Sequence, residues 1–232
     1  MITKRPKGER GHFNFGWLDT WHSFAFGQYQ DPRHLRFRNL RVLNEDFVEP
    51  GEGFGPHGHR DMEILTWVLE GALAHRDSTG AEGILRPGEA QRMTAGAGIR
   101  HSEYNASGAE RVHFLQIWLL PEREGLEPGY DQRTFPAEDR RNRLALLASR
   151  GGRDGSLHWN TDADLHVADL DAGAAVERPL APGRGAWVQV ARGSVEVGGL
   201  RLEAGDGASL EGEEAVRVKA LEEAQVLLFD LA

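Results

Sequence analysis

Apolar and polar positions alternate with a two-residue period through much of the chain, the mark of half-buried β-strands. The clearest runs are Ile64-Leu65-Thr66-Trp67-Val68-Leu69, Val112 to Leu119, Ala186 to Val190 and Gln225 to Leu231. Turn-forming clusters such as Asp77-Ser78-Thr79-Gly80 and Arg86-Pro87-Gly88-Glu89 punctuate them. Long amphipathic helices are hard to find. Glu138 to Ser149 reads either as a helix or, over Leu144-Ala145-Leu146-Leu147-Ala148, as a buried strand.

The pattern occurs twice. Trp67-Val68-Leu69-Glu70-Gly71-Ala72-Leu73 precedes Ile84-Leu85-Arg86-Pro87-Gly88-Glu89, and Trp187 to Val195, with its glycine at Gly193, precedes Leu202-Glu203-Ala204-Gly205-Asp206-Gly207. Each copy reads as strand, glycine turn, strand, then a glycine-acid turn feeding another strand. That predicts a duplicated β-barrel module. Pro121 to Gly129, between the copies, is charged, apolar-poor and rich in Gly and Pro. The expected organisation is therefore an N-terminal domain over residues 1–120, a linker over 121–142 and a C-terminal domain over 143–232.

Composition narrows this picture. The 232 residues, 40% hydrophobic and 27% charged, suit a soluble globular protein. A formal charge of −9 argues against a nucleic-acid surface, which needs a basic stripe. The densest basic run, Arg140-Arg141-Asn142-Arg143, follows Glu138-Asp139 and reads as a solvated turn. Cysteine is absent, which excludes disulfides, thiolate metal sites and thiol nucleophiles. The chain opens Met-Ile-Thr-Lys-Arg-Pro-Lys-Gly-Glu-Arg with no apolar stretch behind the charges. Neither a signal peptide nor a membrane anchor is expected, and the cytoplasm is the expected compartment.

The candidate chemistry lies in two short stretches, Gly55-Pro56-His57-Gly58-His59 and Gly98-Ile99-Arg100-His101-Ser102-Glu103. Residues i and i+2 of a strand share a face, so His57 pairs with His59 and His101 with Glu103. Two adjacent strands, each offering two donors to one face, would enclose a metal. Three neutral imidazoles and a carboxylate suit Fe(II), Ni, Zn, Mn or Cu, and an octahedral ion would keep two positions open for chemistry. Glu63 lies an even number of residues from His59, so strand parity alone leaves it open as the carboxylate in place of Glu103.

Gly51-x5-His57-x-His59-x3-Glu63 and Gly98-x2-His101-x3-Asn105 resemble the two cupin motifs. Arg41 to Asp46, His59 to Ile64, His75-Arg76-Asp77-Ser78 and Gln91 to Glu103 more specifically resemble the pirin family, densely from about Phe24 to Pro121. The resemblance implies an all-β bicupin, two jelly-roll barrels in tandem, with one divalent metal per chain, Fe(II) first among the candidates. It implies His57, His59, His101 and Glu103 as ligands, which leaves Glu63 to orient an imidazole from behind. The second copy lacks the ligands. Pro179 and Ala181 stand opposite His57 and His59, and Val218 and Ala220 opposite His101 and Glu103. His158 and His166 read as lone structural histidines.

Bacterial pirin-like proteins imply quercetin 2,3-dioxygenase activity, the ring-opening oxidation of a flavonol by O2, with Glu103 as the catalytic base. Eukaryotic pirins, as transcriptional co-regulators, suggest a rival role as a metal-dependent protein that acts through a protein partner. A third reading, a cupin isomerase or sugar binder, requires polar and basic groups in the pocket rather than an apolar slot. Trp17, Trp21, Trp67, Trp118 and the run Phe24-Ala25-Phe26 could line such a slot, although aromatics at strand positions are usually core. His113 and Gln116 are on opposite faces of one strand, so at most one points inward.

Overall fold

The computed structural model describes residues 1–232 and is almost entirely β. Its one α-helix, α1 (Ala137–Arg140), is four residues long, and no helix is long and apolar enough to cross a membrane. The chain forms two compact units. One comprises Gly11–Thr134 and Leu157–Thr161; the other comprises Met1–Arg10, Phe135–Ser156 and Asp162–Ala232.

Strand β1 (Ile2–Arg5) belongs to the second unit. The first contains β2 (Gly11–Asn14), β3 (Leu18–His22), β4 (Leu40–Val48), β5 (Gly53–His59), β6 (Glu63–Glu70), β7 (Leu73–Asp77), β8 (Glu82–Leu85), β9 (Glu89–Thr94), β10 (Ile99–Asn105), β11 (Val112–Leu119) and β12 (Gly129–Thr134). Two antiparallel sheets face each other, a large one ordered β12-β9-β6-β11-β4-β3-β2 and a small one ordered β5-β10-β7-β8. Pro56 sits in β5, at the edge of the small sheet, where a missing N–H is tolerated. Inside this barrel, Leu18, Val48, Val68, Leu73, Leu85, Val112 and Phe114 form one apolar cluster. Ile64, Met93, Ala95 and Ile99 form another. The space between the clusters holds the candidate site.

Beyond α1 run β13 (Ala145–Arg150), β14 (Leu157–Trp159), β15 (Ala163–Leu170), β16 (Ala175–Pro179), β17 (Gly185–Arg192), β18 (Ser194–Val197), β19 (Leu200–Glu203), β20 (Gly207–Glu211), β21 (Ala215–Ala220) and β22 (Ala224–Leu231). In the second unit β1, β20, β17, β22, β15 and β13 lie side by side in that order, facing a sheet ordered β16-β21-β18-β19. Its interior is filled by apolar side chains, Val218 and Ala220 among them. The expected pair of barrels is thus present.

The detailed boundaries differ from those read along the sequence. The first ten residues belong with the C-terminal unit, because β1 pairs with β20. The stretch read as a linker over 121–142 contains β12, which pairs along its whole length with β9. Composition marks that stretch as exposed, but backbone pairing to a sheet edge requires no apolar side chains. Between 138 and 149 the strand reading holds, with only the single turn α1 ahead of β13.

Candidate metal centre

His57 and His59 lie on β5, with His101 and Glu103 on the adjacent β10. The antiparallel register sets His101 opposite His57 and Ile99 opposite His59. A bulge between His101 and Glu103 brings Glu103 opposite Phe54. On its other edge β10 pairs with β7, where Asp77 stands opposite His101 and His75 opposite Glu103. β10 is thus the spine of the site, with donors on both flanks.

Three imidazoles converge here. The His57 ring centroid lies 4.7 Å from that of His59 and 4.4 Å from that of His101. The Nε2 atoms of His59 and His101 are 2.8 Å apart. His57 donates its Nδ1–H to the Gly55 carbonyl at 2.8 Å, so its Nε2 keeps a lone pair. Behind His101 runs a second chain of contacts. Asp77 accepts from His75 Nε2 at 3.0 Å and from the backbone and hydroxyl of Thr79. Although burial opposes it, these hydrogen bonds hold the Asp77 carboxyl below its ordinary pKa, so it is an acceptor. His75 therefore carries its proton on Nε2 and turns a bare Nδ1 toward His101 Nδ1, 3.4 Å away. His101 is in turn protonated on Nδ1, which leaves its Nε2 lone pair facing His59.

Electrostatics favours the same state. Burial first, then the charge of His57, lowers the pKa of His59 to about 4. Burial and the neighbouring His57, His59 and His75 push His101 far below the usual imidazole range, against the pull of Asp77. Both rings are neutral at pH 7. Lone pairs this close repel unless a proton or a cation lies between them, and neutral imidazoles are good ligands for a divalent transition ion.

Glu103 is buried, and its Oε1 accepts from Gln91 Nε2 at 2.6 Å and lies 3.5 Å from the Thr66 hydroxyl oxygen. Burial raises its pKa to about 7, opposed by the Gln91 bond and reinforced by the charge of Asp46. Its ligand oxygen groups with His75 and His101, all within 4.8 Å of one another, while His57, His59 and His101 form a separate group at that spacing. His101 is common to both. The donors thus fit a divalent metal, and the arrangement leaves Oε2 of Glu103 free of the Gln91 bond.

Glu63 does not orient an imidazole. It opens β6, in the large sheet, whereas His57, His59, His75 and His101 are on the small one. Its carboxylate accepts from Thr94 at 3.0 Å and from Asn160 at 3.2 Å. Sequence reasoning singled out neither His75 and Asp77 nor Gln91 and Thr66 as supporting groups. The i, i+2 spacing of His75 and Asp77, the same signal that marks the ligands, could have found the first two.

A cavity of about 510 Å³ opens beside the imidazoles. Trp17, Phe26, Phe54, Phe114 and Trp118 line it together with His57, His59 and Glu103, and its lining includes no lysine or arginine. Trp118 meets His59 edge to face with centroids 4.8 Å apart, and Phe26 packs on Trp118 at 5.1 Å. Of the other aromatics, Phe24 and Trp67 are core, and Trp21 stacks on His12. Gln116 lines the cavity, and His113 on the opposite face contacts Glu45. His158, on β14 of the first unit, is exposed, and His166, in the second unit, is buried.

The family model for pirin matches residues 4–119, and one described as a quercetinase C-terminal cupin domain matches residues 146–231. Quercetin 2,3-dioxygenase of Escherichia coli (strain K12) is 46% identical over 231 residues, covering 100% of this chain and 99% of that protein. A pirin-like protein of Caulobacter vibrioides is 40% identical over 233 residues, covering 100% of both chains. The crystal structure of YhhW from Escherichia coli is similar with a TM-score of 0.96 at 45% identity, covering 100% of this chain and 98% of that one. The complex of that bacterial pirin with nickel(II) gives 0.95 at 44% identity, covering 100% and 99%.

Proposed function

Because this chain belongs to the pirin family of two-barrel cupins, we propose that it is a cytoplasmic, metal-dependent dioxygenase that cleaves a flavonol such as quercetin with O2. The carrying observation is that three imidazoles converge beside an aromatic-lined cavity. His57, His59, His101 and Glu103 are the proposed ligands of one divalent transition metal per chain, with Fe(II) first among Fe, Ni, Zn, Mn and Cu. The related bacterial pirin structure with nickel(II) supports a divalent ion of this kind.

When bound, the metal supplies a Lewis-acid centre that lowers the pKa of a substrate hydroxyl. The protein's own groups do the rest. Glu103 borders the cavity and takes the hydroxyl proton, while Gln91 holds its other oxygen in place. The Gly55 carbonyl fixes the tautomer of His57, and the His75–Asp77 pair fixes that of His101. Trp118, Phe26 and Phe54 offer flat surfaces to an aromatic ring and exclude water. A sugar-binding or isomerase role would need polar and basic groups in the cavity. Thr20, Asn44, Asp46 and Gln116 are polar groups of its wall, but no lysine or arginine lines it and aromatic side chains dominate the rest.

Anaerobic addition of quercetin should red-shift the flavonol band in metal-loaded protein only, because deprotonation extends the conjugated system. Admitting O2 should bleach the band and release CO. Elemental analysis of the desalted, loaded protein should find close to one metal per chain. Quercetin binding equally well with and without metal, followed by no change on adding O2, would dismiss the dioxygenase.

A further inference from the structure

A belt of polar side chains crosses the inside of the N-terminal barrel between its two apolar clusters. The register aligns it in one row: His22 on β3 opposite Asn44 on β4, Asn44 opposite Gln116 on β11, Gln116 opposite Thr66 on β6, and Thr66 opposite Gln91 on β9. On the neighbouring rows Val68 and Phe114 lie to one side and Ile64 and Met93 to the other, while on β3 and β4 Thr20 and Asp46 extend the polar surface beside Val68 and Phe114. Polar groups buried at such a level cost stability unless each finds a partner.

Half of the belt is satisfied, and its bonding fixes the direction of the rest. Gln91 Nε2 donates to Glu103 Oε1 at 2.6 Å and to the Thr66 hydroxyl oxygen at 3.0 Å. Thr66 passes its own proton to Gln116 Oε1 at 2.8 Å. With that oxygen engaged, Gln116 must turn its NH2 group away from Thr66, and Gln116 lines the cavity. Asn44 stands next to it, only 4% exposed, and its Oδ1 has no hydrogen-bond partner. The belt therefore ends at the cavity in a fixed donor, Gln116 Nε2, beside Asn44, a residue of the cavity wall whose enclosed, unpaired Oδ1 gains a partner when the amide turns toward a ligand.

We propose that Asn44 and Gln116 form a substrate-recognition subsite for an aromatic ligand that carries a carbonyl beside a hydroxyl on one edge. This rests on the flavonol reading. A flavonol presents its 3-oxygen, 4-carbonyl and 5-hydroxyl in sequence along one edge. With the 3-oxygen toward the imidazoles, the 4-carbonyl accepts from Gln116 and the 5-hydroxyl donates to Asn44. The same Gln91 that holds Glu103 sets the Gln116 amide through Thr66, so the proposed base and the recognition donor share one support. A site built to bond a hydroxyl rejects the analogue lacking it, because its own buried group is left unpaired.

The test uses nickel-loaded full-length protein under argon, with quercetin and with fisetin, the flavonol that lacks the 5-hydroxyl. Quenching of the cavity tryptophans Trp17 and Trp118 reports binding. The wild type should prefer quercetin by about tenfold, the order of one well-made hydrogen bond. Asn44→Leu should erase that preference while still binding fisetin. Gln116→Glu keeps the Thr66 bond but sets an oxygen against the carbonyl, and should weaken both ligands by a similar factor. Neither variant should change the metal content. Because Asn44→Leu removes an unpaired buried group, it should also raise the unfolding midpoint of ligand-free protein by about 2–4 °C. An undiminished preference in Asn44→Leu, or unchanged affinities in Gln116→Glu, overturns the subsite. A wild type that binds neither flavonol instead overturns the functional reading on which the subsite depends.

Discussion

His75 illustrates how one side chain outside the proposed ligand set governs another within it. It contributes no atom to the three-imidazole group, yet its bare Nδ1 settles which nitrogen of His101 carries the proton. Partners of this kind commonly contribute 10- to 100-fold to metal affinity. His75→Phe keeps the ring's bulk and its stacking on Tyr130, whose centroid is 4.6 Å away, but removes the acceptor. Chelator competition should find metal affinity about 10- to 100-fold lower in this variant, with metal stoichiometry unchanged at saturation. An unaltered affinity would show that His101 orients itself. The proposed ligands were legible from the sequence because each pair obeys strand parity within three residues. Gln91 and Thr66 were not, because they reach the site from two other strands, and only the fold shows that these strands adjoin.

Among the elements, β5 and β10 decide whether the proposed ligands meet at all, and their closeness depends on one small residue. A Cβ at Gly53 would lie 2.3 Å from the Glu103 carbonyl oxygen and 2.5 Å from the Tyr104 Cα, both backbone atoms that cannot step aside. Gly53→Ala should therefore wedge the strands apart beside Glu103. Metal affinity should fall at least tenfold, by isothermal titration, while the circular dichroism of the barrels is retained. Affinity equal to the wild type would mean that β10 holds its ligands without β5 in register. Periodicity located β6 and β11 but not the sense of their sides. Thr66 and Gln116, the polar members of the alternation, face the barrel interior, because that interior is a cavity with its own polar belt. A hydrophobic pattern cannot distinguish solvent from a ligand chamber.

At the scale of the whole molecule the two barrels share a pattern but differ in contents. The internal echo made the duplication readable, and the substituted ligand positions set the C-terminal copy apart. The charged chain at the C-terminal barrel was not readable, since its members are scattered from Arg153 to Asp230. There Arg153 and Arg178 bond Asp164, Arg178 and Arg184 bond Asp230, and Arg184 bonds Asp162. His166 is buried beside them. Burial first, then the charge of Arg178, lowers its pKa from 6.5 to about 4, with Asp164 and Asp230 pulling the other way. The unfolded chain takes up a proton near pH 6.5 and the folded chain only near 4, so this residue removes stability as pH falls across that window. His166→Phe should flatten the pH dependence of urea unfolding between 6.5 and 4 by up to about 3 kcal/mol. An equally steep dependence in the variant would place the effect elsewhere.

The pairing of β1 with β20 has a consequence for how the protein is made. Ile2 lies opposite Leu210 and Arg5 opposite Gly207, so β1 leaves the ribosome long before the strand it pairs with. At about 5–20 residues per second, the intervening chain takes roughly 10 to 40 seconds to appear. Throughout that interval Ile2-Thr3-Lys4-Arg5 is an unpaired edge with no partner yet in existence. Its composition suits the delay. Two adjacent positive charges discourage pairing with the strands of other nascent chains, and in the finished fold Lys4 reaches Asp206 at 2.7 Å. The residues that keep the strand solitary during translation thus help to seat it when its partner arrives.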